Sequence, residues 1–179
     1  MIIIAIGANL ESPEHGLPLQ TCKKALSRLE ELGVEIVKQS RWLKTAPVPI
    51  SDAPWYVNAV AQIQTDLAPD ELLELLHDIE NEFGRVRPFI NAPRILDLDI
   101  IAYNDFVSSS EDHLIIPHPR MHERAFVLLP LLDIDEDWRH PVTDKTAKEL
   151  SLTIPVDQET IEYSDSSSEN KATNSGEVF

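Results

Sequence analysis

Two aspartates, Asp97 and Asp99, occupy alternate positions in an apolar segment of the 179-residue chain. In an extended strand alternate side chains share one face, and the strand rise separates these two Cα atoms by roughly 6 to 7 Å. Carboxylates this close repel each other unless a cation lies between them. Oxygen ligands with no adjacent cysteine or histidine favour Mg²⁺ over zinc. The pair therefore predicts a magnesium site, and a solvated strand face is the alternative interpretation.

Arginine is concentrated around this pair. Between residues 85 and 124 every basic side chain other than histidine is an arginine, although lysine is almost as frequent in the whole chain. Guanidinium groups bind phosphate oxygens through paired hydrogen bonds, whereas lysine presents a single mobile charge. The sequence contains neither a Walker loop nor a dinucleotide-binding glycine motif. We therefore expect side chains and metal to bind a polyphosphate here, and neutralisation of an acidic surface is the alternative.

His118 lies between Pro117 and Pro119. These prolines favour an extended backbone over a helix, which argues against a helical zinc pair with His122. We interpret His118 as a hydrogen-bond donor to phosphate.

Tyr56 and Asn58 follow the proline-rich loop at residues 45–54. On a strand the two side chains share a face, where a ring and an amide suit a flat heterocycle. A core aromatic beside a strand-edge asparagine is the alternative interpretation.

Hydrophobic periodicity predicts a β-α-β-β-α-β order. This order is typical of the ferredoxin-like α+β fold, which has an antiparallel sheet with helices on one face. The predicted strands are residues 1–6, 34–45, 55–65, 94–103 and 113–117. The predicted helices are residues 17–32, 69–84, 123–132 and 146–150.

Composition limits the classes of partner. A net charge of −16 argues against binding to nucleic acid or to an anionic membrane. The single cysteine, Cys22, has no internal disulfide partner, which favours a cytoplasmic location. The apolar run at residues 1–6 is too short for a signal peptide or a membrane span. We expect a monomer with one domain at residues 1–160 and a disordered acidic, serine-rich tail at residues 161–179.

Five segments resemble the 6-hydroxymethyl-7,8-dihydropterin pyrophosphokinase family. In chain order they are IAIGANL, T-x-P followed by WYVNAV, EFGRVR, APRILDLDII and IPHPRMHERAFVLLPL. The resemblance extends from Met1 to about Leu150 and implies a ferredoxin-like fold, two Mg²⁺ ions, and ATP and the pterin as substrates. It implies transfer of diphosphate to the hydroxymethyl group of the pterin, with release of AMP, in folate biosynthesis.

The resemblance also implies roles for individual residues. The catalytic residues would be Arg85, Arg94, Asp97 and Asp99, and both aspartates would bind the metal ions. ATP would be bound by His77, Glu80, Arg85, Arg87, Arg94, His118 and Arg124. The pterin would be bound by Thr45, Pro47, Val48, Tyr56, Asn58 and Phe126.

Other functions use the same carboxylate pair. Another Mg-dependent nucleotidyltransferase or phosphohydrolase is the alternative enzyme, and an acidic module that binds nucleotide or pterin without chemistry is the alternative binding protein. Pro88 and Asn91 depart from the family pattern in the segment at residues 85–94, which in such enzymes closes over ATP.

Overall fold

A computed structural model describes residues 1–47, 49–85, 93–108 and 113–163. Its strands are Ile2–Ala8 (β1), Glu35–Gln39 (β2), Leu43–Thr45 (β3), Tyr56–Gln64 (β4), Asp97–Tyr103 (β5) and Thr160–Glu162 (β6). Its helices are Pro18–Glu31 (α1), Pro69–Glu82 (α2), Ala125–Asp135 (α3) and Ala147–Ser151 (α4), with a 3₁₀ turn at Met121–Glu123. Within the described ranges, every helix is too short or too polar to reach across a lipid bilayer.

The described strands form an antiparallel sheet in the order β5-β1-β4-β3-β6, and β2 pairs with β4 beside β3. The predicted α+β order is therefore confirmed. β1 is buried along its whole length and pairs with a strand on each side. A continuous apolar run is typical of such a central strand.

The predicted second strand, residues 34–45, is divided into β2 and β3. Ser40 lies at the division, where its hydroxyl oxygen accepts the N–H of Val60 at 3.0 Å. The backbone N–H of Ser40 donates to the carbonyl of Val60, also at 3.0 Å. The side chain thus takes the place of a ladder carbonyl, and the strand can bend there.

Helices pack on both faces of the sheet. α1 and α2 cover one face, on which Ile4 and Ile6 of β1 point toward them. α3 and α4 pack against the other face, on which Ile3 and Ala5 of β1 lie. The helices predicted on one face of the βαββαβ core are α1 and α2, whereas α3 and α4 follow that core in the chain and cover its other face. β1 is apolar at consecutive positions, so both of its faces require cover.

Two further differences concern the later part of the chain. The predicted strand at residues 113–117 is wrong, because Ser108 closes a loop there through bonds with Ile116. Pro117 has no N–H to continue a ladder. β6 was not predicted, and it carries the described fold past the predicted domain end at residue 160. The predicted tail beyond residue 163 lies outside the described residues.

β5 separates its acidic side chains from its apolar ones. Leu98 and Ile100 join the core beneath α1 and α2, so Asp97 and Asp99 face the opposite side. A register shift between β1 and β5 then interrupts the alternation. Tyr103 consequently packs against the core beneath α1 and α2, where its hydroxyl donates to the carbonyl of Leu67 at 2.6 Å. The acidic face is therefore confined to the start of β5.

Glu80 of α2 connects the helix layer to this strand. Its carboxylate is fully buried, and Oε1 accepts the N–H of Leu98 at 2.9 Å. Its Oε2 lies 2.6 Å from Nη1 of Arg85. A buried carboxylate is tolerated only with partners of this kind. Because Leu98 lies between Asp97 and Asp99, Glu80 holds the backbone from which both aspartates project.

We expect Glu80→Gln to lower the free energy of unfolding by about 2 to 4 kcal/mol, because it removes the buried anionic partner of Arg85. Glu82→Gln is the matched control, since Glu82 pairs with Arg28 at 3.1 Å with half of its side chain exposed. The control should change stability by less than about 1 kcal/mol. Urea denaturation at pH 7 measures both, and equal effects would contradict a supporting role for Glu80.

Candidate active site

A cavity of about 1030 Å³ opens on the face of the sheet to which Asp97 and Asp99 project. Its volume is slightly above the roughly 300 to 1,000 Å³ typical of small-molecule sites. Its wall is formed by β3, β4, the start of β5, the turn before α3 and the segment after α4. The predicted site residues that line it are Thr45, Pro47, Tyr56, Asn58, Arg94, Asp97, Asp99, His118, Arg124 and Phe126.

Each aspartate of β5 faces an arginine from a different segment. Nη1 of Arg94 contacts Oδ1 of Asp97, and Nη1 of Arg124 lies 3.9 Å from Oδ2 of Asp99. The side chain of Asp99 is 37% exposed, so the cavity gives access to it. The two guanidinium groups offset the repulsion between the carboxylates. An anionic ligand that attracted the arginines would leave the carboxylates able to accept a cation.

The two arginines differ in how completely their charges are compensated. Burial disfavours the charge of Arg94, but the charge and hydrogen bond of Asp97 outweigh this effect and raise its pKa. Burial and the charge of Arg120 lower the pKa of Arg124, and Asp99 and Asp97 offset this only in part. The charge of Arg124 is therefore only partly compensated. An anion bound beside it would gain more free energy of binding than an anion bound to a solvated arginine.

Gly7 of β1 leaves space for a polar side chain of the neighbouring strand. It pairs with Asn58 of β4 on one side and with Asp97 of β5 on the other. A Cβ at Gly7 would lie 2.5 Å from Oδ1 of Asn58, so a side chain here would displace the amide. Nδ2 of Asn58 donates to Oγ1 of Thr45 at 2.6 Å. β3, β4 and β5 thus carry a hydroxyl, an amide and a carboxylate, with Gly7 of β1 between the amide and the carboxylate.

Two aromatic side chains line the same cavity. Tyr56 begins β4, and burial raises the pKa of its hydroxyl, which keeps it protonated at neutral pH. Phe126 lies in the first turn of α3, and Cζ of Arg124 is 5.2 Å from the centroid of its ring. This cation–π contact orients the ring and the guanidinium together. Two rings near the Asn58 amide can bind a flat heterocycle by stacking and hydrogen bonding.

His118 is a neutral hydrogen-bond donor in this site. Its Nδ1 accepts the N–H of Arg120 at 3.2 Å, so the ring proton lies on Nε2. Burial and the charges of Arg124 and Arg120 lower the pKa of His118 to about 4. The backbone N–H of His118 donates to the carbonyl of Ile101 on β5 at 2.9 Å. The imidazole can therefore donate to phosphate without carrying a charge.

The predicted metal ligands are the two aspartates. Among the described residues, no group of three or more His, Cys, Asp or Glu side chains has a metal-binding arrangement. The alternative zinc pair of His118 and His122 thus gains no support in this part of the chain. Mg²⁺ commonly uses one or two carboxylates, with water and substrate phosphates as its other ligands. Asp97 and Asp99 fit that donor set.

Three of the predicted ATP contacts that the structure describes lie outside the cavity wall. Among the described residues of that wall, neither His77, Glu80 nor Arg85 is found. Glu80 and Arg85 pair with each other behind β5, and His77 is half-buried on α2. Arg87 and Val48 fall outside the described residues. The roles assigned to these five residues stay predictions.

Asn9 supports the site from outside the cavity wall, and the sequence analysis missed it. It is buried, and its Nδ2 donates to the carbonyl of Pro54 at 2.9 Å. Its Oδ1 accepts the N–H of Arg94 at 2.7 Å, and its own N–H donates to the carbonyl of Arg94 at 2.9 Å. Asn9 therefore joins the proline-rich loop to the backbone that carries Arg94. The available signal was a polar residue directly after a fully apolar strand.

The wall also includes residues without a predicted binding role. Asp157 and Gln158 lie in a segment with no recognisable motif. The others are Ala46, Pro49, Ser51, Ala53, Pro93, Glu123 and Pro155. Arg120, which belongs to the arginine-rich interval at residues 85–124, lines the cavity as well.

The fold and the cavity define an α+β protein with a cavity of small-molecule size on its sheet, lined by both charged and apolar side chains. A family model described as 7,8-dihydro-6-hydroxymethylpterin-pyrophosphokinase (HPPK) matches residues 3–136. The chain therefore belongs to the HPPK family.

Curated relatives agree with this family. The chain is 44% identical over 134 residues to the 2-amino-4-hydroxy-6-hydroxymethyldihydropteridine pyrophosphokinase of Haemophilus influenzae, across 75% of this chain and 81% of that protein. It is 42% identical over 142 residues to the folic acid synthesis protein fol1 of Pneumocystis carinii, across 79% of this chain. The chain spans only 18% of the length of that fungal protein.

A solved structure shares the fold. A crystal structure described as HPPK-DHPS in complex with substrates matches with a TM-score of 0.64. The match covers 84% of this chain and 42% of that one at 13% identity. At this identity the likeness supports the fold alone.

His118 should remain neutral over the pH range in which an ordinary histidine titrates. Its folded pKa of about 4 lies below the unfolded value of 6.5. Below pH 6.5 the unfolded chain therefore binds the proton more readily, and the contribution of His118 to stability falls until about pH 4. Nitrogen-15 NMR of the histidine rings between pH 8 and 5 should show an unchanged Nε2–H tautomer for His118. A midpoint between pH 6 and 7 would contradict the assignment.

Proposed function

We propose that this chain transfers the terminal diphosphate of ATP to the hydroxymethyl group of 6-hydroxymethyl-7,8-dihydropterin and releases AMP. The reaction would serve folate biosynthesis, as the names of the relatives indicate for those proteins. The observation that carries the proposal is one cavity that contains both kinds of binding group. Asp97, Asp99 and Arg124 provide for metal and phosphate, while Tyr56 and Asn58 provide for the heterocycle.

We propose Mg²⁺ as the cofactor, with two ions bound together with ATP. Asp97 and Asp99 would hold the ions, whose remaining ligands would be water and phosphate oxygens. Bound Mg²⁺ would supply charge compensation for the phosphates in the transition state. The accessible carboxylates of Asp99 and Asp97 on one strand face support this assignment.

The phosphates of ATP would lie against the arginines of the cavity. Arg94 would exchange Asp97 for a phosphate oxygen, and Arg124 would bind a second phosphate through its partly compensated charge. His118 would donate its Nε2–H to the same group. Among the predicted catalytic residues, Arg85 would act on the transferred phosphates only after leaving Glu80, with which it pairs here.

The pterin would lie at the end of the cavity formed by β3, β4 and α3. Tyr56 and Phe126 would stack on the ring, and Asn58, held by Thr45, would bind its edge. The hydroxymethyl oxygen would attack the β-phosphorus of ATP as the bond from the β-phosphorus to its α-bridging oxygen breaks. The bridging oxygen leaves with AMP, and the alcohol proton passes to solvent. The residues contribute by aligning the two substrates, which lowers the entropy cost of reaction.

Further properties remain predictions of this proposal. They are a monomeric state, no binding to nucleic acid or membrane, and a cytoplasmic location. The buried thiol of Cys22, whose pKa burial raises to about 12, supports a structural cysteine in a reducing compartment.

The nucleotide product tests the proposal directly. Incubation with Mg²⁺, ATP and 6-hydroxymethyl-7,8-dihydropterin should yield AMP and the pterin diphosphate in equal amounts. Asp97→Asn should lower this rate about a thousandfold or more, because several kcal/mol of transition-state charge stabilisation depend on the metal site. Chromatography of the nucleotides measures both.

Asp105→Asn is the matched control, because Asp105 is an exposed residue of the turn after β5. Its rate should equal that of the unchanged chain. ADP as product would indicate an ordinary kinase, and pyrophosphate release would indicate a nucleotidyltransferase. Normal turnover by Asp97→Asn would contradict the metal assignment.

A further inference from the structure

The segment after α4 returns to the cavity. Pro155, Asp157 and Gln158 line its wall, and all three lie beyond residues 3–136, which the family model matches. This part of the cavity wall is therefore formed by residues outside the region that the family model matches.

One end of the segment is fixed to the sheet edge. β6 pairs with β3, and Thr160 lies opposite Thr45. The N–H of Ala46 donates to the carbonyl of Glu159 at 3.0 Å, and the N–H of Tyr163 donates to the carbonyl of Trp42 at 2.9 Å. Gln158 thus leaves the sheet edge directly beside the strand that carries Thr45.

The side chain of Gln158 reaches from this edge to the start of α3. Its Oε1 accepts the N–H of Ala125 at 2.8 Å, and its Nε2 donates to the carbonyl of Glu123 at 2.5 Å. The N-cap residue of α3, Arg124, provides no side-chain cap of its own. Gln158 therefore satisfies the first N–H of the helix from a distant part of the chain.

These two bonds flank Arg124. The peptide groups before and after Arg124 are both hydrogen-bonded to Gln158, so the backbone of Arg124 has little freedom. Phe126 directly follows Ala125, whose N–H makes one of these bonds. The guanidinium of Arg124 packs on the ring of Phe126, so the position of one side chain constrains the other.

We propose that Gln158 is a positioning residue, which holds the turn before α3 so that Arg124 and Phe126 project into the cavity. The inference rests on the proposed function, in which Phe126 stacks on the pterin and Arg124 binds phosphate. Gln158 acts through these two residues and joins the β3 side of the site to the α3 side.

The test compares Gln158→Met with the unchanged full-length chain. Methionine retains the length and bulk of glutamine but makes neither hydrogen bond. The dissociation constant for the pterin, measured by calorimetry with Mg²⁺ and a non-hydrolysable ATP analogue, should rise about tenfold. Val156→Ala is the control on the same segment, since Val156 is fully exposed, and it should leave the constant unchanged.

A double-mutant cycle separates positioning from simple stabilisation. In a Phe126→Ala background, Gln158→Met should change the pterin dissociation constant less than twofold, because the residue through which it acts is missing. An equally large effect in both backgrounds, or no effect in either, would overturn the inference.

If Gln158→Met does not fold, the variant Gln158→Glu provides the test. It keeps the acceptor for the N–H of Ala125 and loses only the donor to the carbonyl of Glu123. Normal pterin affinity of Gln158→Glu would then overturn the inference. Absence of pterin binding by the unchanged chain would instead overturn the proposed function.

Discussion

The structure depends on compensation of the negative charges of two neighbouring carboxylates. Asp97 and Asp99 project from one face of β5, and two arginines from separate segments approach them. A chain with a net charge of −16 offers few cations, and it concentrates several of them around this cavity. The arginines stabilise the aspartates in the absence of ligand, and they are also the groups best suited to bind phosphate. The same charges thus serve folding and ligand binding.

The surrounding fold gives this arrangement its rigidity. Behind β5, the buried carboxylate of Glu80 holds the N–H of Leu98, and in front Asn9 holds the backbone of Arg94. Gly7 leaves space for Asn58 between the neighbouring strands. Each support is a buried hydrogen bond or a close backbone approach, and each comes from a different element. Side chains that must align two substrates are held in position most precisely when packed neighbours and buried hydrogen bonds fix them in this way.

The strand alternation in the sequence was sufficient to predict which face carries the acids. Because Leu98 and Ile100 are apolar, they could only point into the core, and Asp97 and Asp99 took the other side. The same alternation placed Tyr56 and Asn58 on one face of β4, and the family resemblance added Phe126, which lines the same cavity. These predictions depended on local periodicity and on motifs, and the structure brings those residues together.

Other features could not be predicted because they arise from tertiary contacts. α3 is apolar on nearly every side, so its sequence does not indicate which face of the sheet it covers. The break at Ser40 depends on a bond to Val60 in another strand, and the role of Glu80 depends on Leu98. The segment around Gln158 is polar and lacks periodicity, so its return to the cavity follows from pairing with β3.

A crystal structure with Mn²⁺ and a non-hydrolysable ATP analogue tests the central claim most directly. Mn²⁺ accepts the same oxygen ligands as Mg²⁺ and would therefore occupy the same sites. Its anomalous scattering would then locate the ions. We expect peaks between the triphosphate and the carboxylates of Asp97 and Asp99, with Arg94 turned from Asp97 to a phosphate oxygen. A bound nucleotide with no peak at these carboxylates, and an intact contact between Arg94 and Asp97, would contradict the claim.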